Sequence, residues 1–192
     1  MRRTGKTILI LGCLLIACSL ALLLVLQIRT TQAARANAEI VGTMETIFPD
    51  RKAGTKDADR DPEMPALEIQ GEDFIALLEI PAYGLKLPVG SVWDKDQVMS
   101  YPCRFHGSAY DGTLIIGGYD QSGQFDFFDR IQTGVAVTLT DMTGSTFSYV
   151  VNWVDRSRSA EADTLLDDAA DLSLFVRDAQ GLEYIILRCV VK

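Results

Sequence analysis

The feature that most constrains this chain is a run of 22 residues without a single charge, Thr7 to Ile28 ("TILILGCLLIACSLALLLVLQI"). As a helix rising about 1.5 Å per residue it is roughly 33 Å long, enough to cross a hydrocarbon core of about 30 Å. Such a run has no place in a water-soluble fold except as an appendage. Arg2, Arg3 and Lys6 precede it, and a basic cluster on that side predicts a cytoplasmic N-terminus (1–6), a signal-anchor (7–28) and an extracytoplasmic remainder. A secretory h-region is shorter, about 7–15 residues, so the uncleaved anchor is the expectation. Ala33, Ala34, Ala36 and Ala38 leave cleavage open. "LIAC" (Leu15 to Cys18) is similar to a lipoprotein box, but the apolar run continues well past Cys18.

Beyond residue 28 the chain carries 15 basic against 26 acidic residues, a balance of −11. That surface repels phosphates, which excludes nucleic acid as a natural partner and disfavours electrostatic adherence to anionic lipid. Cys103 and Cys189 are the two cysteines outside the apolar run. They are too few for a disulfide-built scaffold, and they read equally as one bridge or as two buried thiols. With His106 the sole histidine, ligand supply for a zinc site is short, so no metal and no cofactor are expected. Neither a serine-hydrolase elbow nor a glycine-rich phosphate loop is present.

Residues 29–66 read as a short juxtamembrane helix followed by a flexible spacer. "DRKAGTKDADRDPEMP" (Asp50 to Pro65) is charged and has no large aliphatic residue except Met64, the composition of a segment that stays unpacked. It would hold the following domain off the membrane. From Leu67 to Lys192 the texture is one of short apolar runs separated by turns. Strands are expected at Phe74 to Ile80, Leu85 to Val89, Thr113 to Ile116, Val135 to Thr140 and Thr146 to Val154. In the fifth, Phe147, Tyr149, Val151 and Trp153 share a face. "DLSLFVRDAQGLEYIILRC" (Asp171 to Cys189) reads as strand, turn, strand. Helical signal is confined to Phe125–Ile131 and Glu161–Ala170. A small, mostly antiparallel β-barrel with short helices fits this pattern best.

Four stretches then resemble one family in order and spacing. "LEIPAYGLKLPVGSVWD" (Leu78 to Asp94), "PCRFHGS" (Pro102 to Ser108), "LIIGGYDQSGQFDFFDRIQTGVAVTLTDMTGSTFSYVV" (Leu114 to Val151) and the Asp171–Cys189 stretch together look like a sortase, with a class B-like flavour. The resemblance implies an eight-stranded β-barrel and a membrane-anchored cysteine transpeptidase of Gram-positive cell walls. Such chemistry takes a thiolate nucleophile, a histidine that protonates the leaving amine and an arginine that steadies the oxyanion.

Residue by residue, the resemblance puts the histidine of a "GH" pair at Gly118-Tyr119, the cysteine closing a strand at Arg177 and the arginine opening the next at Tyr184. All three are replaced. Arg177 is a permanent cation and no nucleophile, and Tyr119 and Tyr184 are bulky amphipathic contact residues. Arg188, four positions after Tyr184, matches a structural arginine of that strand. Tyr119, Asp120, Arg177 and Tyr184 are therefore candidate binding residues, with Asp120, Asp126 and Asp129 as possible ion partners of Arg177. Drift after loss of activity is the alternative to a converted pocket. The expected function is a catalytically inactive sortase-fold protein at the cell membrane. Sorting-signal peptides, pilin-like substrates or a partner sortase are its expected ligands. Two alternatives stand beside it: an active sortase whose thiol has moved to Cys103 (paired with His106) or Cys189, and a purely structural module.

Overall fold

The computed structural model describes the backbone of residues 2–48, 51–56, 61–178 and 180–192, and no side chains at 1–11, 24 and 26–34. Its elements in order are α1 (Arg2–Ile47), β1 (Lys52–Ala53), β2 (Leu67–Ile69), β3 (Glu72–Ile80), β4 (Leu85–Gly90), β5 (Cys103–His106) and β6 (Leu114–Gly118). Then follow β7 (Ala136–Asp141), β8 (Ser145–Ser157), α2 (Ala162–Leu165), β9 (Leu172–Arg177) and β10 (Tyr184–Val191). The strands pair in the order β8-β10-β9-β6-β5-β4-β3, and β7 joins β3 to β8. Those pairings close a ring of eight strands, while β1 and β2 add on outside it.

Alternation along the strands sorts side chains to two faces. Leu172, Leu174 and Val176 of β9 point into the barrel with Ile75, Leu78, Leu139, Tyr149, Leu187 and Cys189. The outward residues are buried as well. Phe74, Leu77 and Cys103 lie under α1, against Ile40, Val41, Met44 and Phe48. Ile115, Phe175 and Ile186 form a third cluster with Leu165 of α2. Asp141 is fully buried in the β7–β8 turn, where it accepts from Tyr110 Oη at 2.7 Å, from the Thr143 amide and hydroxyl and from the Ser145 amide.

Several expectations need correction. Phe125–Ile131 is a run of turns, not a helix. It is anchored by the stacked rings of Phe125 and Phe128 (centroids 4.5 Å apart) rather than by a helical ladder. Only Ala162–Leu165 of the expected Glu161–Ala170 helix forms. The stretch read as a flexible spacer is pinned at several described points. Lys52 and Gly54 donate to Gly144 O and Thr146 O at 2.9 and 2.7 Å. Lys56 pairs with Asp171 at 3.0 Å, and Met64 is buried in the barrel core. Composition hid this because charged residues flank a few backbone and side-chain anchor points. Nor is the juxtamembrane helix separate, since α1 runs on unbroken to Ile47 and docks on the barrel. Among the described residues no helix is long and apolar enough to cross a membrane, and part of the 7–28 run lies outside the described side chains. Within that run the described Leu14, Leu15, Ile16, Leu20, Leu22, Leu23 and Val25 are all exposed.

Candidate functional site

Three strand ends meet at one place on the barrel. β6 and β9 run parallel with Gly118 opposite Val176, and β9 and β10 run antiparallel with Arg177 opposite Tyr184. Tyr119 follows β6 directly. Tyr119, Arg177 and Tyr184, dispersed over 65 positions of sequence, thus line one cleft of about 330 Å³. Period-2 alternation explains the arrangement: the inward residues of β9 end at Val176, so Arg177 is the first residue free of the core.

Aromatic rings build the cleft wall. Trp93 stacks on Phe175 at 5.6 Å, Phe105 meets both edge-on at 5.4 and 5.3 Å, and Phe175 meets Tyr184 at 6.1 Å. The close packing requires the glycines of β6. A Cβ at Gly117 would sit 2.3 Å from the Trp93 ring, and one at Gly118 would sit 2.2 Å from the Phe125 ring. Gln124 secures the loop beyond, accepting from the Tyr119 amide and donating to Val98 O at 3.1 Å. Trp93, Lys95, Val98, Phe105 and Phe175 are lining residues that sequence reasoning did not single out. For Trp93, Phe105 and Phe175 the only signal was a place inside the resembling stretches, and Lys95 and Val98 lie outside them.

Arg177 is exposed at the cleft rim, with its guanidinium carbon 5.9 Å from the centroid of the Tyr184 ring. Among the described residues it makes no ion pair; the expected pairing with Asp120, Asp126 or Asp129 does not form. Asp120 instead belongs to an adjoining depression of about 370 Å³, shared with Arg177 and Asp178. Partial burial, and then the charges of Asp129, Asp126 and Asp178, hold its carboxyl above the usual carboxylate range. The cleft is therefore aromatic, with one uncommitted guanidinium at its rim and carboxylates beside it. It can hold an extended polar-apolar chain, and among the described residues its lining includes no cysteine, serine or histidine.

The remaining candidates lie apart from it. Cys103 and Cys189 are both free and fully buried, one in the cluster beneath α1 and the other inside the barrel. They occupy opposite faces of the wall, so no disulfide joins them. Burial pushes both thiols up to about 12. Cys103 Sγ contacts Tyr101 O at 3.5 Å, whereas His106 is exposed and lines a separate depression with Arg104, Phe105 and Glu63. A bulge between Arg104 and His106 contributes to that divergence. Arg188 does not substitute for a catalytic arginine. It is 4% exposed and committed: Nε donates to Asp155 at 2.9 Å, Nη1 to Ser173 Oγ at 3.0 Å and to Leu165 O, and Nη2 to Thr164 O at 3.1 Å. Among the described residues no group of three or more histidines, cysteines or carboxylates could hold a metal ion.

No family model matches the chain, and no curated protein matches it in sequence. Solved structures do. The chain is similar to sortase A from Corynebacterium diphtheriae (TM-score 0.55, 16% identity, 84% of this chain and 81% of that one). It is similar to sortase C-1 from Actinomyces oris (TM-score 0.54, 16% identity, 81% and 98%). It is also similar to Clostridium perfringens sortase C with the C-terminal cell wall sorting motif (TM-score 0.54, 18% identity, 63% and 71%). At such identities the likeness is one of architecture, and the closed eight-stranded barrel described above is a sortase-type fold.

Proposed function

We propose that this chain is a membrane-anchored, extracytoplasmic protein of sortase fold that has lost transpeptidase activity and keeps its cleft as a peptide-binding surface. The observation that carries this reading is the convergence of Tyr119, Arg177 and Tyr184 at three adjoining strand ends, the positions where the resemblance puts the catalytic histidine, cysteine and arginine. Burial of both barrel thiols supports it further, because a thiol held near 12 carries almost no nucleophilic thiolate at neutral pH. The class B-like flavour rests on the "IP", "LPV", "PC" and "GS" runs; the similar structures named above are sortases A and C. Sorting-signal peptides are the first ligands to consider, because a similar protein has been seen with such a motif. Pilin-like substrates or an active sortase are the macromolecular counterparts. The seven exposed apolar side chains between Leu14 and Val25 support the anchor.

The test is mass spectrometry of the full chain in detergent, mixed with LPXTG- and NPQTN-like peptides, alongside a Cys103→Ala, Cys189→Ala double variant. The expected result is no acyl-enzyme and no cleaved peptide from either protein. Fluorescence anisotropy with the same peptides should detect binding that Arg177→Ala weakens. Cleavage by the wild type and not by the double variant would overturn the inactive reading in favour of a relocated thiol. Absence of any peptide binding would favour the purely structural module.

A further inference from the structure

The docked part of α1 gives the barrel a direction. At its N-terminal end Asn37, 5% exposed, donates from Nδ2 to Ser100 O at 2.7 Å. Ser100 closes the loop whose Val98 lines the cleft and whose Met99 carbonyl accepts from Gln121, two residues past Tyr119. Two turns further on, Glu45 pairs with Lys86 at 2.5 Å, and Lys86 also reaches Glu79. The chain then leaves Phe48 and enters β1, which pairs with Ser145 and Thr146. That is the end of β8 remote from Ser157, the residue opposite Tyr184. Followed backwards, α1 therefore runs from the far end of the wall toward the loop bordering the cleft, and it continues N-terminally from there.

We infer that the cleft margin formed by Met99, Tyr119 and Leu182 is the membrane-proximal side of the barrel and rests at the bilayer surface. Nine helical steps lead from Ile28 to Asn37, roughly 14 Å of rise, which places the first barrel contact just outside a headgroup layer about 5–8 Å thick. A docked helix, unlike a flexible tether, holds that orientation. The exposed apolar side chains fit it: Met99, whose carbonyl holds Gln121, is 51% exposed, Tyr119 in the cleft wall 46%, and Leu182 in the β9–β10 turn 73%. The neighbouring carboxylates of Asp120, Asp126, Asp129 and Asp178 would be repelled by anionic headgroups. The partner is thus a neutral bilayer surface, met through apolar contact and enforced by the covalent helix. A ligand of the cleft reaches it along the membrane plane.

Because this orientation requires residues 7–28 to cross a bilayer, as proposed above, the experiment separates the two. Full-length chains with one accessible cysteine in phosphatidylcholine nanodiscs carry a fluorophore at one of four places. One retains native Cys18 with Cys13→Ser, and three combine Cys13→Ser and Cys18→Ser with Met99→Cys, Leu182→Cys or Thr143→Cys. Cys103 and Cys189 are fully buried and stay unlabelled in the folded protein. Nitroxide-bearing lipids are the quencher. Quenching at 99 and 182 should exceed quenching at 143, in the β7–β8 turn, severalfold, and the Cys18 label should also be quenched. Equal quenching at 99, 182 and 143 with Cys18 quenched overturns the orientation and leaves the anchor standing. An unquenched Cys18 label overturns the anchor, and the orientation falls with it. Two independent margin sites keep the test decisive if one substitution impairs folding.

Discussion

Arg188→Met is the substitution whose effect the structure specifies best. Methionine retains most of the apolar stem's packing but removes every hydrogen bond of the guanidinium. Asp155, its ion partner, has a side chain 39% exposed and can rehydrate, so losing that pair contributes little. The Leu165 and Thr164 carbonyls and the Ser173 hydroxyl are different. The two carbonyls end α2 and the hydroxyl belongs to β9, and the leucine carbonyl and serine hydroxyl bonds are buried. Leaving a buried acceptor unpaired costs about 1–3 kcal/mol, with the partly buried threonine carbonyl at the low end, so the total is about 3–7 kcal/mol. For a chain of 192 residues each kcal/mol shifts Tm by about 2–4 °C, giving a fall of about 6–28 °C. Thermal unfolding of the full chain in detergent, followed by circular dichroism, reads it directly. Arg177→Met is the control: that guanidinium is exposed and contributes a single cation–π contact, about 0.5–1 kcal/mol. A loss below about 1 kcal/mol at Arg188, or equal losses at both arginines, would refute the division into one structural and one uncommitted cation.

Met44→Ala should destabilise by about 2–5 kcal/mol, because Met44 is fully buried between α1 and the barrel; limited proteolysis should then cut first between α1 and β1, and unchanged protection would show that the helix is not docked. Asp120 has a folded-state pKa above its ordinary value of 3.8, so the folded protein binds the extra proton and stability falls as pH rises from 3.8 through the raised value. Asp120→Asn removes that fall, and Tm measured from about pH 4 to about pH 7 should decline less in the variant than in the wild type. Iodoacetamide at about pH 7.5 should leave Cys103 and Cys189 unmodified in the folded chain, since a pKa near 12 leaves a thiolate fraction on the order of 10⁻⁴ or less; rapid native-state alkylation of either would argue for an accessible, activated thiol.

The seven expected strands all form, and the two at the end, β9 and β10, meet at the expected turn. Alternation is a local property: Leu172, Leu174 and Val176 announce an inward face whatever surrounds them. Likewise the identities of residues 119, 177 and 184 were readable once the resembling stretches were in register, since a strand end is defined by its own neighbours. The short additions were not readable. β1 has two residues and pairs with β8 some 93 positions later, and β5 has four residues and one register contact with β4. Segments that short carry no period of their own.

By itself, the sequence determined that an uncharged 22-residue run precedes a barrel of short strands, and that an arginine and two tyrosines occupy the strand ends where the family resemblance puts its chemistry. Closure of the ring through β3, β7 and β8 was decided by tertiary structure, as was the separation of Cys103 from Cys189 by the thickness of the wall. So was the fate of the outward faces. Leu77 looks exposed in an alternating strand, the bulge between Phe74 and Ala76 puts Phe74 on the same outer face, and only the docking of Ile40, Val41 and Met44 buries them. The same docking turns an apparent tether into a helix with a fixed bearing on the cleft. Those outcomes depend on contacts between residues tens of positions apart, and no window of sequence short enough to show a periodicity contains both partners.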